Sequence, residues 1–265
     1  MKQSINELEN HEVVMITQEN MVELMRFWNN RSSAFNMVEN ENGSLVKSPI
    51  PHPLFNNVIK TTINKNVTES VKHIINDYRE RNVPFLWRVW DHDMPNNIGE
   101  TLIENGGQQI PSTTLMAIDL QAFHPLTETY PELTIKKVSN LQDGKAFAGC
   151  TSSAFRIPDE LTATVAEVMS KQDQNIANYV GYLIGTPVSI STIFYHNGIA
   201  GIYNVGTLPE FQGKGIGVEM MTTILLKAKL DGYKTAILHS THAGKRLYEK
   251  LGFNACGEMR QYLFS

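Results

Sequence analysis

The stretch Val205-Gly206-Thr207-Leu208-Pro209-Glu210-Phe211-Gln212-Gly213-Lys214-Gly215-Ile216-Gly217 constrains this chain more than any other. A strand pattern runs into a proline turn, then into a glycine-rich loop that opens directly into an amphipathic helix. Glycines at such a junction let backbone N–H groups converge on an anion with no Cβ in the way. The helix that follows aims the positive end of its dipole at the same place. A loop of this kind suits phosphate, and pyrophosphate in particular. It is not a Walker loop, because Lys214 is followed by Gly215 rather than Ser or Thr. A dinucleotide fingerprint fails too, since the last spacing of Gly213-x-Gly215-x-Gly217 is wrong. A tight turn that holds no ligand is the alternative.

At 265 residues and 42% hydrophobic, the chain can bury one large core or two ordinary ones. A formal net charge of -4 supplies no basic field, which argues against nucleic acid. The two cysteines, Cys150 and Cys256, form no CxxC pair, so neither a disulfide framework nor a zinc ribbon is expected. The start of the sequence lacks a hydrophobic signal core, and no uncharged apolar run reaches membrane-spanning length. These features predict a cytoplasmic protein with no membrane partner.

The pattern along the chain is mixed α and β, with a seam near Gln121 to Glu132, where Pro125, Thr127, Thr129 and Pro131 interrupt regular structure. The expected domains are 1–125 and 131–265. In the first, Thr17 is read as a helix cap before the stripe Met21, Leu24, Met25 and Trp28. A strand over 55–63, a helix after Thr68, a strand over 85–89, a helix over 95–104 and a strand over 115–120 follow. In the second, a strand opens at Leu133, helices span 141–154 and 158–170, and strands cover 175–183 and 187–196. Asn197-Gly198 signals a hairpin into 199–207. After the loop helix come a strand at 235–239, a helix over 241–250 stopped by Gly252, and a last strand. The order helix, strand, helix, Gly, strand occurs twice, with Glu104-Asn105-Gly106-Gly107 matching Lys250-Leu251-Gly252-Phe253 at an offset of roughly 146 residues. The first copy has Asn64-Lys65-Asn66-Val67-Thr68 in place of the glycine loop.

The strand with Val205-x-Thr207-x-Pro209, then Gln212-x-x-Gly215-x-Gly217, and the later Leu247-Tyr248-Glu249-Lys250-Leu251-Gly252-Phe253 resemble the GNAT N-acetyltransferase superfamily. The resemblance covers about 133–264. The first half is similar in pattern only and looks like the degenerate N-terminal copy of tandem GNAT proteins. The resemblance implies an α/β (α+β) fold of two GNAT-like domains, each a mixed twisted sheet flanked by helices. It implies acetyl-CoA, or another acyl-CoA, as co-substrate; no metal is expected. It also implies that the backbone of Gln212, Gly213, Lys214, Gly215, Ile216 and Gly217 binds the pyrophosphate. Val205, Gly206 and Thr207 would pair with the pantetheine arm. Thr207 departs from the aliphatic residue usual at its position, a small change for a backbone contact.

An amine attacking a thioester places charge on the carbonyl oxygen, and a backbone N–H near Val205 or Gly206 can answer it. Tyr248 occupies the family's position for the general acid that protonates the leaving thiolate; a core tyrosine is its other reading. Thr241 aligns with a polar position that touches CoA in the family; a plain helix N-cap is its other reading. His239 is a general-base candidate, since imidazole titrates near neutrality, while Tyr203 and Asn204 are candidate orienters of water. His239-x-x-His242 and Asp91-His92-Asp93 lack a third metal ligand at a convincing spacing. Trp28, Trp87 and Trp90 are read as core or as lining of an acceptor site.

The expected activity is direct transfer of an acetyl group to a primary amine without an acyl-enzyme, because no residue shows nucleophile–base–orienter spacing and Cys150 is expected far from the motif. The acceptor is a small-molecule or peptide amine, and the protein a monomer or homodimer. A non-catalytic acyl-CoA sensor or interaction module is the alternative.

Overall fold

The computed structural model describes residues 4–33, 35–126, 132–171 and 173–265. Thr127, Thr129 and Pro131 of the expected seam lie outside the described residues. The first elements are α1 (Asn10–Asn29), β1 (Asn36–Asn40), β2 (Gly43–Lys47), β3 (Asn57–Thr61), α2 (Val67–Glu80), β4 (Phe85–Trp90), α3 (Ile98–Glu104) and β5 (Gln108–Asp119). Then come β6 (Leu133–Lys137), α4 (Leu141–Phe155), α5 (Thr162–Ser170), β7 (Ile176–Leu183), β8 (Thr186–His196) and β9 (Ile199–Thr207). The last are α6 (Ile216–Leu230), β10 (Thr235–Ser240), α7 (His242–Lys250) and β11 (Asn254–Phe264).

Packing gathers these elements into two compact units that do not follow chain order. The first holds residues 10–115, 240–242 and 256–265; the second holds the described residues up to Glu9, 116–239 and 243–255. The division thus differs from the linear split 1–125 and 131–265, and the reason lies in two strands. On β11, Tyr262 and Phe264 enter the first unit's core, where Phe264 stacks on Phe85 at 4.6 Å. On β5, the terminal residues Met116 and Ile118 enter the second unit's core. Each strand alternates its side chains between two faces, so whichever partner covers the apolar face claims the strand.

In the first unit the strand order is β1-β2-β3-β4-β11-β5. The β3–β4 pair is parallel, with α2 as its crossover, while β1–β2, β2–β3 and β4–β11 are antiparallel. Val71, Ile74, Ile75 and Tyr78 of α2 pack on Phe85, Trp87 and Val89 of β4. In the second unit the end of β5 neighbours β10, followed by β9, β8, β7 and β6. There β9–β10 is parallel, crossed over by α6, and the remaining β9–β8, β8–β7 and β7–β6 pairs are antiparallel. Met220, Met221, Ile224, Leu225 and Ala228 of α6 form the floor of that core. Both units are therefore mixed sheets flanked by helices, as the resemblance implies.

The internal echo is physical. The order α2-β4-α3-β5 repeats as α6-β10-α7-β11. Gly106 closes α3 at φ +94 and Gly252 closes α7 at φ +95, a left-handed cap that favours glycine. Hairpin turns obey local chemistry as well. Asn197-Gly198 takes φ +45 and +80, the primed turn that matches strand twist. The β7–β8 turn uses Ile184-Gly185 at +49 and +80, a β-branched residue in a conformation it rarely adopts, and Ile184 is 78% exposed there.

Some sequence expectations are corrected. Thr17 does not cap a helix: α1 begins at Asn10, and Thr17 lies inside it, donating its hydroxyl to Val13 O at 2.7 Å. The hairpin β1–β2 had no sequence counterpart, and the strand expected over 55–63 is the shorter β3. Trp28, Trp87 and Trp90 are all buried as core residues. Among the described residues, no helix is long and apolar enough to cross a membrane.

Candidate active site

The second unit builds its candidate site where β9 leaves β10. The parallel register with β10 runs over Ile199–Ile202. Just beyond it the β8–β9 register shifts, so that Ile190 faces Gly206 while Thr192 faces Tyr203. This bulge carries Asn204 at φ +52, and pairing with β8 resumes beyond it, Gly206 opposite Ile190 and Thr207 opposite Ser189. A Cβ on Gly206 would stand 3.0 Å from Ala154 Cβ and 3.4 Å from Phe155 Cζ, so glycine lets the last turn of α4 close on β9. Cys150 belongs to that same helix, which corrects the expectation that it lies far from the motif. Burial pushes its thiol up to about 11, and Glu210 adds to the shift, so it remains protonated near neutral pH.

A polar ladder holds the bulge. Asn204 donates to Thr192 Oγ1 at 3.0 Å, and Thr192 donates to Asn178 Oδ1 at 2.7 Å. Asn178 in turn donates to Met169 O of α5 at 2.8 Å. Buried networks of this kind specify one arrangement when every member is satisfied. Asn178 and Thr192 gave no signal in the sequence, because their pairing depends on strand register.

After β9, Leu208 donates its N–H to Val188 O at 2.9 Å, and Pro209–Phe211 forms a 3-10 turn. Gln212 fastens the loop by donating to Thr207 O at 3.0 Å. Gly213 and Gly215 then adopt φ +74 and +82. A Cβ at either would meet open space, so it is the backbone conformation, not crowding, that selects glycine. Gly215 is the N-cap of α6 and offers no side-chain acceptor. Helix geometry leaves the first-turn N–H groups, including those of Ile216 and Gly217, without intrahelical acceptors. Exposed Lys214 adds a cation 5.2 Å from the Phe211 ring centroid. Glu219, in the same first turn, is a carboxylate that opposes an anion there.

A Cβ on Gly217 would lie 3.1 Å from Leu247 Cδ1, which brings α7 against the start of α6. One residue on, Tyr248 is buried, meets Phe253 edge-on at 5.8 Å, and has its hydroxyl pushed up to about 12 by burial. Half-buried His239 on β10 meets the Tyr203 ring at 5.8 Å and 89°. Burial raises the Tyr203 hydroxyl as well. Thr241 is exposed and immediately precedes α7, the position of an N-cap. Among the described residues, no group of three or more His, Cys, Asp or Glu side chains is placed to hold a metal ion.

Comparison with known proteins agrees with this architecture. Residues 167–255 match the family model described as the acetyltransferase (GNAT) domain, a span that includes the loop, α6, β10 and α7. A GCN5-related N-acetyltransferase from Kribbella flavida is similar at TM-score 0.70 and 13% identity, covering 93% of this chain and 94% of that one. Another, from Sphaerobacter thermophilus, is similar at TM-score 0.62 and 14% identity, covering 91% and 84%. A tandem GNAT protein from the clavulanic acid biosynthesis pathway covers 97% of this chain and 96% of its own, at TM-score 0.61 and 12% identity. At such identities the likeness is one of fold. Among curated protein sequences nothing matches the chain significantly. Residues 167–255 thus match a GNAT acetyltransferase domain, and the chain as a whole shares its fold with a tandem GNAT protein.

Proposed function

We propose that the second unit is an N-acetyltransferase that moves an acetyl group from acetyl-CoA to a primary amine by direct attack. The observation that carries this reading is the loop with Gly213 and Gly215 at positive φ, opening into α6 beside open space. It suits a pyrophosphate held by backbone N–H groups from Gln212 to Gly217, with Lys214 adding charge. Val205, Gly206 and Thr207 would hold the pantetheine arm through their backbone, and Thr241 caps α7. The co-substrate supplies an activated acyl group as a thioester. His239 accepts a proton from the attacking amine. A backbone N–H at Val205 or Gly206 donates to the carbonyl oxygen as charge gathers there, an interaction whose loss costs roughly 3–4 kcal/mol. The new C–N bond replaces the C–S bond, and Tyr248 gives its proton to the departing thiolate. Because the Tyr248 hydroxyl titrates at about 12, the proton is present throughout the neutral range. The raised thiol of Cys150 supports transfer without an acyl-enzyme.

The first unit is read as the degenerate copy: between β3 and α2 it has Asn64-Lys65-Asn66, with Asn66 at φ +48, where the second unit has its glycine loop. The protein is proposed to act in the cytoplasm, as a monomer or homodimer, on a small-molecule or peptide amine. Calorimetric titration with acetyl-CoA, beside the variant Gly215→Glu, tests the cradle. Micromolar binding that the variant loses is expected. Absence of binding by the unaltered protein overturns the reading.

A further inference from the structure

Arg88 is a buried cation whose charge meets no counter-charge. On β4, Phe85, Trp87 and Val89 enter the first unit's core, so Arg88 takes the opposite face of the strand. It is only 7% exposed. Its Nη1 donates to Asn57 Oδ1, and the Asn57 amide is itself committed to Leu54 O at 2.9 Å. Its Nε is buried without a hydrogen-bond acceptor, and among the described residues no carboxylate lies within ion-pair distance. The buried carboxylate of Asp93 in the same unit is engaged elsewhere: it accepts from Gln18 at 2.9 Å and from the Trp90 N–H at 3.0 Å. Gln261, paired with Arg88 across β11, gives its amide to Pro111 O at 3.2 Å. The partners of Arg88 on β3 and β11, Asn57 and Gln261, are thus both neutral amides.

A lone charge removed from water is costly unless it is paired. Burial alone already pulls Arg88 down to about 10. With Nη1 occupied by Asn57, the Nε–Nη2 edge remains, the side of a guanidinium that takes a planar carboxylate through two parallel bonds. One cation among neutral amides balances one negative charge; a phosphate dianion would leave a net charge buried. We propose that the first unit binds a small monocarboxylate through Arg88, next to Asn57. This proposal is independent of the acetyltransferase reading. It gives the degenerate copy a ligand of its own.

The chain has three tryptophans, Trp28, Trp87 and Trp90, and all lie within residues 10–115, so selectively excited tryptophan fluorescence reports on the first unit. The full chain is titrated with sodium acetate against sodium chloride at equal ionic strength, with sodium phosphate as a second arm. Acetate is expected to give a saturable fluorescence change, and to raise the tryptophan-detected unfolding midpoint by roughly 5 °C at tenfold saturation. Arg88→Met, which fills the space without the charge, should lose both effects. An acetate response that is absent from the unaltered protein, or undiminished in Arg88→Met, overturns the proposal. A response to phosphate that exceeds the response to acetate overturns the monocarboxylate assignment. Should Arg88→Met fail to fold, the acetate-against-chloride titration of the unaltered protein decides alone.

Discussion

Tyr203 and His239 stand at right angles on neighbouring strands, with ring centroids 5.8 Å apart and planes at 89°. An edge-on aromatic neighbour fixes the plane of the imidazole without neutralising it. If His239 is the base of the proposed reaction, His239→Gln should lower kcat about 10²-fold and remove the acid limb of the pH–rate profile. Acetyl-CoA affinity should remain, as calorimetry would show. An unchanged acid limb would transfer the role to another group or to water.

Tyr248 makes a complementary prediction. Its hydroxyl titrates at about 12, so in the unaltered enzyme it stays protonated and adds no basic limb below about pH 10. Tyr248→Phe should reduce kcat by roughly 10²–10⁴-fold with little change in coenzyme affinity. Retained activity would return Tyr248 to a packing role against Phe253. Coenzyme binding with no turnover by the unaltered protein, across a panel of amines, would favour a sensor.

Asp93 links pH to stability in the first unit. Desolvation raises its carboxyl from 3.8 to about 6, the opposing hydrogen bonds from Trp90 and Gln18 notwithstanding. Between those two values the folded chain holds a proton that the unfolded chain has released. That contribution is complete below about pH 4 and is lost as the pH rises through 6. The swing is on the order of 3 kcal/mol. Asp93→Asn should flatten the dependence, measured as tryptophan-detected urea midpoints from pH 4 to 7.

Phe264 tests how the units are composed. Its ring stacks on Phe85 at 4.6 Å inside the first unit's core. Phe264→Ala should therefore destabilise the tryptophan-bearing unit by about 3–5 kcal/mol. If residues 131–265 folded as a self-contained block, tryptophan fluorescence would instead be indifferent to the change.

Much of the second unit was legible in the sequence because its signals are local. Asn197-Gly198 is a turn by its own backbone chemistry, and the glycines from Gly213 to Gly215 mark the loop that opens into α6. Gly252 stops α7 as a left-handed cap, and its counterpart Gly106 made the repeat visible. What escaped the sequence depends on partners. The bulge at Asn204 exists only through register with β8, so the ladder to Thr192 and Asn178 carried no mark in the chain. Tyr262 and Phe264 show the same limit: period-2 alternation says that one face of β11 is apolar, not which core receives it. Thr17 was misread because a threonine bonding backward inside a helix resembles one capping its start.

The allotment of β11 to the first unit also has a temporal side. Domains tend to fold in order as the ribosome releases them. Here residues 10–115 emerge with a gap in their core, since Tyr262 and Phe264 are made only after the whole of the second unit. During synthesis the edge of β4 therefore stands open, a row of unpaired donors and acceptors that invites stray strands. The second unit has no such wait, because Met116 and Ile118 precede most of it. Folding in the cell should thus run against the direction of translation, with the later-made unit closing first and its trailing strand then sealing the earlier one.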